Sequence, residues 1–232
     1  MDARDYILFM EIPSNVPVMT LPNVTLFPQA LLPLYVFEPR YRQMLHDSLT
    51  SHRMFIVAMQ RPGRHRETPS RIAGLGFIRV AVDNTDGTSH LILQGMSRVQ
   101  LGRIVRYKPY RVHAITPLQA PHTDNVTVDA LLAKVRDLVA ERIELGWHVK
   151  SKSPGKKKGK QPTMLSVKDV VHYLDALEDA DQVADLVSCA MLPSPAERQT
   201  ILETVDVEPR LKHLIHFLMA EISQQRKSKQ HD

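Results

Sequence analysis

The strongest constraint on this chain is a change of hydrophobic period near residue 118. Before it, apolar residues come in short runs broken by turn signals, the pattern of β-strands. After it, they recur at helical spacing. Residues 53–59, 72–82, 89–94, 99–107 and 110–117 read as strands. The second and third of these are joined by Asp83-Asn84-Thr85-Asp86-Gly87, whose closing Asp-Gly is a hairpin signal. Pro22, Pro28 and Pro33 interrupt the opening segments, so strands there must be short, bent or at a sheet edge. One helix breaks the β region: Tyr41, Met44, Leu45 and Leu49 fall on one stripe behind Pro39, and proline suits a first helical turn.

Beyond residue 123, Val128, Leu131, Leu132, Val135, Leu138, Val139 and Ile143 form a helical stripe, with Gly146 placed to end it. Ser166-Val167-Lys168-Asp169 resembles a capping box ahead of Val170, Val171, Leu174 and Leu177. Ser194-Pro195-Ala196-Glu197 combines a cap, a first-turn proline and a box glutamate. Leu211, Leu214, Ile215, Leu218, Met219 and Ile222 make the clearest stripe of all. The expected class is therefore α+β, with a β-rich lobe over residues 1–118 and an α-helical lobe over 119–232. Residues 150–162 interrupt the second lobe. They are dominated by Lys, Gly, Ser and Pro, and the sequence predicts a mobile loop dispensable for folding.

With 232 residues and 43% apolar composition the chain can bury a real core. No apolar run approaches the length of a membrane span. The amino terminus has no apolar stretch long enough for a secretion signal. A single cysteine, Cys189, rules out an internal disulfide and fits a reducing cytoplasm. Its apolar neighbours predict that it is buried. The aromatic residues of the opening segments are expected mainly in the core.

The net charge of +5 is uneven. Residues 1–118 carry 14 basic and 8 acidic side chains, and 13 of the basic ones are arginine. Arg61, Arg64, Arg66 and Arg71 bunch around His65, and six lysines lie between Lys150 and Lys160. Such clusters bind nucleic acid or acidic peptide, or simply face solvent.

Chemistry is sparse. Gly155 to Gln161 imitates a phosphate-binding loop, but its spacing is one residue short, Gln161 stands where a hydroxyl should hold magnesium, and Pro162 follows. No Gly-x-Ser-x-Gly elbow is present. His213 and His216 share a helix face without an evident third metal ligand, so no metal and no cofactor is expected. No catalytic residue is assigned, although a hydrolase without a sequence signature stays an alternative.

Residues 19–28, Met-Thr-Leu-Pro-Asn-Val-Thr-Leu-Phe-Pro, and 32–41, Leu-Pro-Leu-Tyr-Val-Phe-Glu-Pro-Arg-Tyr, resemble the N-terminal substrate-recognition domain of the ATP-dependent Lon protease. They are closer still to the stand-alone bacterial proteins made of that domain alone. The similarity continues through residues 55–59, 72–78, 93–99, 179–185 and 201–211. It implies a small PUA-like β-barrel of about six strands and one helix, followed by a helical bundle. It also implies a non-catalytic module that holds unfolded or extended polypeptide clients, with RNA binding through the basic loops as the alternative. The expected client-binding residues are Phe37, Glu38, Arg40 and Tyr41, with Arg61, Arg64, Arg66 and Arg71 as a basic contact loop. The basic loop departs from the family, where the corresponding segment is often acidic.

Overall fold

A computed structural model of the chain describes residues 11–63, 67–119, 125–146, 172–174, 176–177 and 179–229. The elements run β1 (Asn15–Leu21), β2 (Leu31–Val36), α1 (Pro39–Leu49), β3 (Met54–Met59), β4 (Ile72–Asp83), β5 (Ser89–Arg106), β6 (Arg111–Leu118), α2 (Val126–Glu144), α3 (Ala180–Met191), α4 (Pro195–Glu203) and α5 (Val207–Lys229). They form two compact units, one of Met1–Ala120 with Pro193–Val205, the other of Pro121–Leu192 with Asp206–Asp232.

The first unit is a six-stranded sheet in the order β2-β5-β4-β3-β1-β6. β1 and β3 run parallel, and the remaining pairs are antiparallel. β6 pairs with β1 and also with the second half of β5, so the ladder returns on itself. β2 pairs with the first half of β5. β5 is thus one long strand across residues that read as two in the sequence. Its Gly95 and Ser97 neighbourhood carries a register shift rather than a break.

β3 shows why the core has two faces. All six of its residues are buried, as expected for a strand covered on both sides. Phe55 and Val57 join Met19, Tyr41, Met44, Leu45 and Leu93 in one apolar cluster under α1. Met54, Ile56 and Ala58 join Val16, Leu75, Met96 and Val99 in a second. α4 packs on this unit. Gln199 Nε2 donates to the Ile72 carbonyl at 2.9 Å, and Arg98 Nε donates to the Leu202 carbonyl at 3.2 Å. The segment around α4 therefore leaves the helical part of the sequence and rejoins the sheet, which a single boundary at residue 118 does not anticipate. Its start matches the sequence signal: the Ser194 hydroxyl accepts from the Glu197 N–H and Pro195 opens the helix.

In the second unit, α2 starts at Asn125, whose side chain accepts from the Val128 N–H at 2.8 Å. α3 starts at Asp179, which caps Asp181. Leu132, Val135 and Val139 of α2, Val183 and Val187 of α3, and Leu211, Leu214 and Leu218 of α5 are buried. Cys189 is exposed, a correction to the expected burial. On α3 the inward stripe runs Val183, Ala184, Val187, Ser188 and Met191, so the next residue after Ser188 turns outward. No described helix is long and apolar enough to cross a membrane. Residues 150–162, with their expected mobile loop and failed phosphate loop, lie outside the described residues.

Candidate functional site

The outer face of β2, β5 and β4 gathers a group of exposed apolar residues of the first unit. Strand alternation puts Leu31, Pro33 and Tyr35 of β2 outside, while Leu32, Leu34 and Val36 pack inward. The register then builds rows across the face. Pro33 lies opposite Ile92, which lies opposite Val80; Tyr35 lies opposite His90, which lies opposite Val82. Leu31, Tyr35, Phe37, Val80, Val82 and Ile92 are all exposed. Tyr35 is 49% and Phe37 58% accessible. Their rings stack at 5.8 Å between centroids, and Tyr35 also meets the His90 ring at 4.8 Å. Pro33, Tyr35, Val80, Val82, His90 and Ile92 line a shallow depression of about 390 Å³. Scattered exposed apolar residues are ordinary, whereas a contiguous apolar patch marks an interaction surface.

β2 ends the order of strands and pairs, among the described residues, with β5 alone. Pro33 in its middle has no N–H to offer, as an edge strand tolerates. An edge of this kind beside an apolar face is the arrangement that extended peptides use.

The structure separates the four corner residues. Phe37 belongs to the exposed face. Tyr41 is 5% accessible and sits in the core under α1. Its hydroxyl donates to the Thr20 carbonyl at 3.2 Å and accepts from the Thr20 N–H at 3.1 Å. Burial raises its pKa. Arg40 lies over the Tyr41 ring at 4.4 Å. It grips Glu67 through both terminal nitrogens, at 2.5 and 2.6 Å, and Glu38 through Nε at 2.9 Å. Hydrogen bonds from Arg40 hold the Glu67 carboxyl below its usual range. Arg111 adds a hydrogen bond to the Glu67 carbonyl. Glu38, Arg40 and Glu67 thus tie the start of α1 to the segment before β4. The Glu67 contribution is fully present above its ordinary pKa and is lost as pH falls through the lowered one.

Arg61 and Arg71 are exposed and line one depression of about 630 Å³ with Gln100, Thr200 and Glu203. The structure brings these two together; Arg64 and Arg66 lie outside the described residues. No group of acidic, histidine or cysteine side chains suited to a metal occurs among the described residues.

Tyr35, Val80, Val82, His90 and Ile92 were not singled out in the sequence. A signal was present: β2 is apolar at both parities, Leu31, Pro33 and Tyr35 as well as Leu32, Leu34 and Val36. Periodicity alone cannot say which parity is covered.

Comparison with known proteins places the chain. The model of the ATP-dependent protease La (Lon) substrate-binding domain matches residues 15–220. The chain belongs to the Lon substrate-binding domain family. It is 26% identical over 217 residues to the Lon protease of Trichlorobacter lovleyi, an alignment that covers 91% of this chain and 24% of that protein. It is 22% identical over 213 residues to the Lon protease of Desulfosudis oleivorans, covering 90% and 24%. The chain thus spans about a quarter of the length of these curated relatives. Among solved structures, the N-terminal domain of a Mycobacterium avium complex Lon protease superposes with a TM-score of 0.66 at 18% identity, covering 88% of this chain and 98% of that one. A Lon N-terminal domain protein from Xanthomonas campestris gives 0.61 at 22% identity, covering 88% and 99%. These establish a shared mixed α and β fold.

Proposed function

We propose that the chain is a non-catalytic polypeptide-binding module that takes unfolded or extended client segments on the outer face of β2, β5 and β4. The observation that carries this reading is the contiguous exposed row of Tyr35, Phe37, Val80, Val82 and Ile92 beside a strand edge that, among the described residues, pairs with nothing further. Membership of a substrate-binding family supports a polypeptide as the ligand. The departure of residues 155–161 from a phosphate-binding loop supports a role without ATP turnover at that segment. On this reading the module serves as an adaptor in cytoplasmic protein quality control. The return of the ladder from β6 to β5 supports a small PUA-like barrel as the frame. Phe37 contacts the client, and Glu38, Arg40 and Tyr41 brace the face from behind.

A fluorescently labelled, permanently unfolded polypeptide titrated with the protein tests this. Tyr35→Asp combined with Val82→Asp places two charges on the face and is expected to weaken binding more than about tenfold. That corresponds to ~1.4 kcal/mol, modest for a hot-spot tyrosine. The melting temperature should stay close to wild type, because both side chains are exposed. Unchanged binding in the double variant would remove the face from the function.

RNA binding is the second reading, favoured by Arg61 and Arg71 sharing one depression. It requires that Arg61→Glu with Arg71→Glu sharply weaken binding to a single-stranded RNA and make what binding remains less sensitive to salt, since fewer phosphates are neutralised. The polypeptide reading requires that the same pair leave client affinity within about twofold.

A further inference from the structure

The apolar face also carries a charge. Arg79 follows Ile78 at a register shift of β4, so it and Val80 both emerge on the outer side. Its Nε donates to the side-chain oxygen of Gln94, the outer residue of β5 next after Ile92. Its guanidinium also lies 5.6 Å from the Phe77 ring centroid. Both partners are neutral, and Arg79 has no ion-pair partner among the described residues. The depression between Tyr35, Val80, Val82 and Ile92 contains no carboxylate among its lining residues. A guanidinium held by a neutral amide, next in the chain to the Val80 that lines the depression, still has donors to give to an anion.

We infer that this face selects client segments in which an apolar side chain, seated over Ile92, is flanked by an acidic residue whose carboxylate meets Arg79. The inference rests on the proposed polypeptide-binding function and adds a charge preference to it. A depression of about 390 Å³ accommodates an aromatic or leucine side chain. The apolar group supplies the affinity, and the rim charge sorts among clients, as rim charges do at other interfaces. A lysine in the same flanking position would bring two cations together.

Two synthetic peptides test it, each of about ten residues, the length of a longer strand. Each has a central phenylalanine in a serine-glycine background, flanked by glutamate in one and by lysine in the other. Wild-type protein at low salt should bind the glutamate peptide about fivefold more tightly, within the range for exposed ion pairs counted as attraction against repulsion. The ratio should shrink at high salt, where exposed charges are screened. Arg79→Gln should erase it, and Arg79→Glu should reverse it, with both variants melting like wild type. If both peptides bind wild type equally and both lose binding in the Tyr35→Asp, Val82→Asp variant, the charge preference is overturned and the client site stands. A preference that persists in Arg79→Gln also overturns it. If neither peptide binds wild type, the client site itself fails and this inference with it.

Discussion

Gly95→Ala is expected to destabilise the first unit by about 3 kcal/mol or more, the upper range of core overpacking. A Cβ built at Gly95 would stand 1.9 Å from the Phe27 carbonyl oxygen and 2.8 Å from its carbon, with the Pro28 Cα at 3.3 Å. All three are backbone atoms, so no rotamer change relieves the overlap. The approach is fixed by hydrogen bonds in both directions: Gln29 N–H donates to the Gly95 carbonyl and Gly95 N–H to the Ala30 carbonyl, each at 2.8 Å. Gly74 stands under the same segment, with a Cβ position 2.1 Å from the Leu26 oxygen. These two glycines let residues 26–28 lie flat on β4 and β5, and so they set where β2 begins. Gly102→Ala serves as the control, because its nearest neighbour would be the Ala114 oxygen at 3.1 Å. A urea melt of the three proteins checks the prediction. A Gly95→Ala midpoint equal to wild type would mean that the segment over β5 is not held as described.

Arg210→Met is expected to cost about 3–5 kcal/mol in the second unit, the usual penalty for breaking a buried ion pair by removing one partner. Arg210 is 1% accessible and donates through one terminal nitrogen to Asp181 at 2.6 Å and Asp185 at 3.4 Å. Methionine replaces much of the volume and none of the charge, leaving Asp185 buried among apolar residues of α3 and α5. Burial already raises the Asp181 pKa against the pull of Arg210. Without the guanidinium that rise should grow. A carboxylate with a raised folded-state pKa is bound to its proton more tightly in the fold than in the open chain. The variant should therefore recover more stability than wild type does as pH falls through the raised value. Adding Asp185→Leu should restore part of the loss at neutral pH. Denaturation midpoints across the pH range check this, and a pH-independent loss would contradict it.

Much of the fold was legible because local signals and packing agree. Pro39 with the stripe Tyr41, Met44 and Leu45 located α1, whereas the place of Tyr41 in the core rather than at the client surface came only from the structure. Ser194 and Pro195 located α4. The fully apolar run of β3 read as a strand. What α4 packs against was not legible, since capping and periodicity report on a helix and not on its partner. The proposed client face was hidden for a related reason. Val80 and Val82 flank Ala81, and Ile92 lies between Leu91 and Leu93, so apolar residues occupy both parities and only the tertiary fold decides which side is left open. The position of Arg79 on this face was equally hidden among the many arginines of the first half.

Methyl NMR of the protein with and without a permanently unfolded client tests the central claim most directly. The account predicts that the methyl signals of Leu31, Val80, Val82 and Ile92 shift on titration, and that those of Leu211 and Leu218 in the second unit do not. Shifts confined to methyls away from the β2, β5 and β4 face, such as Met59 and Ile72 beside Arg61 and Arg71, would contradict it.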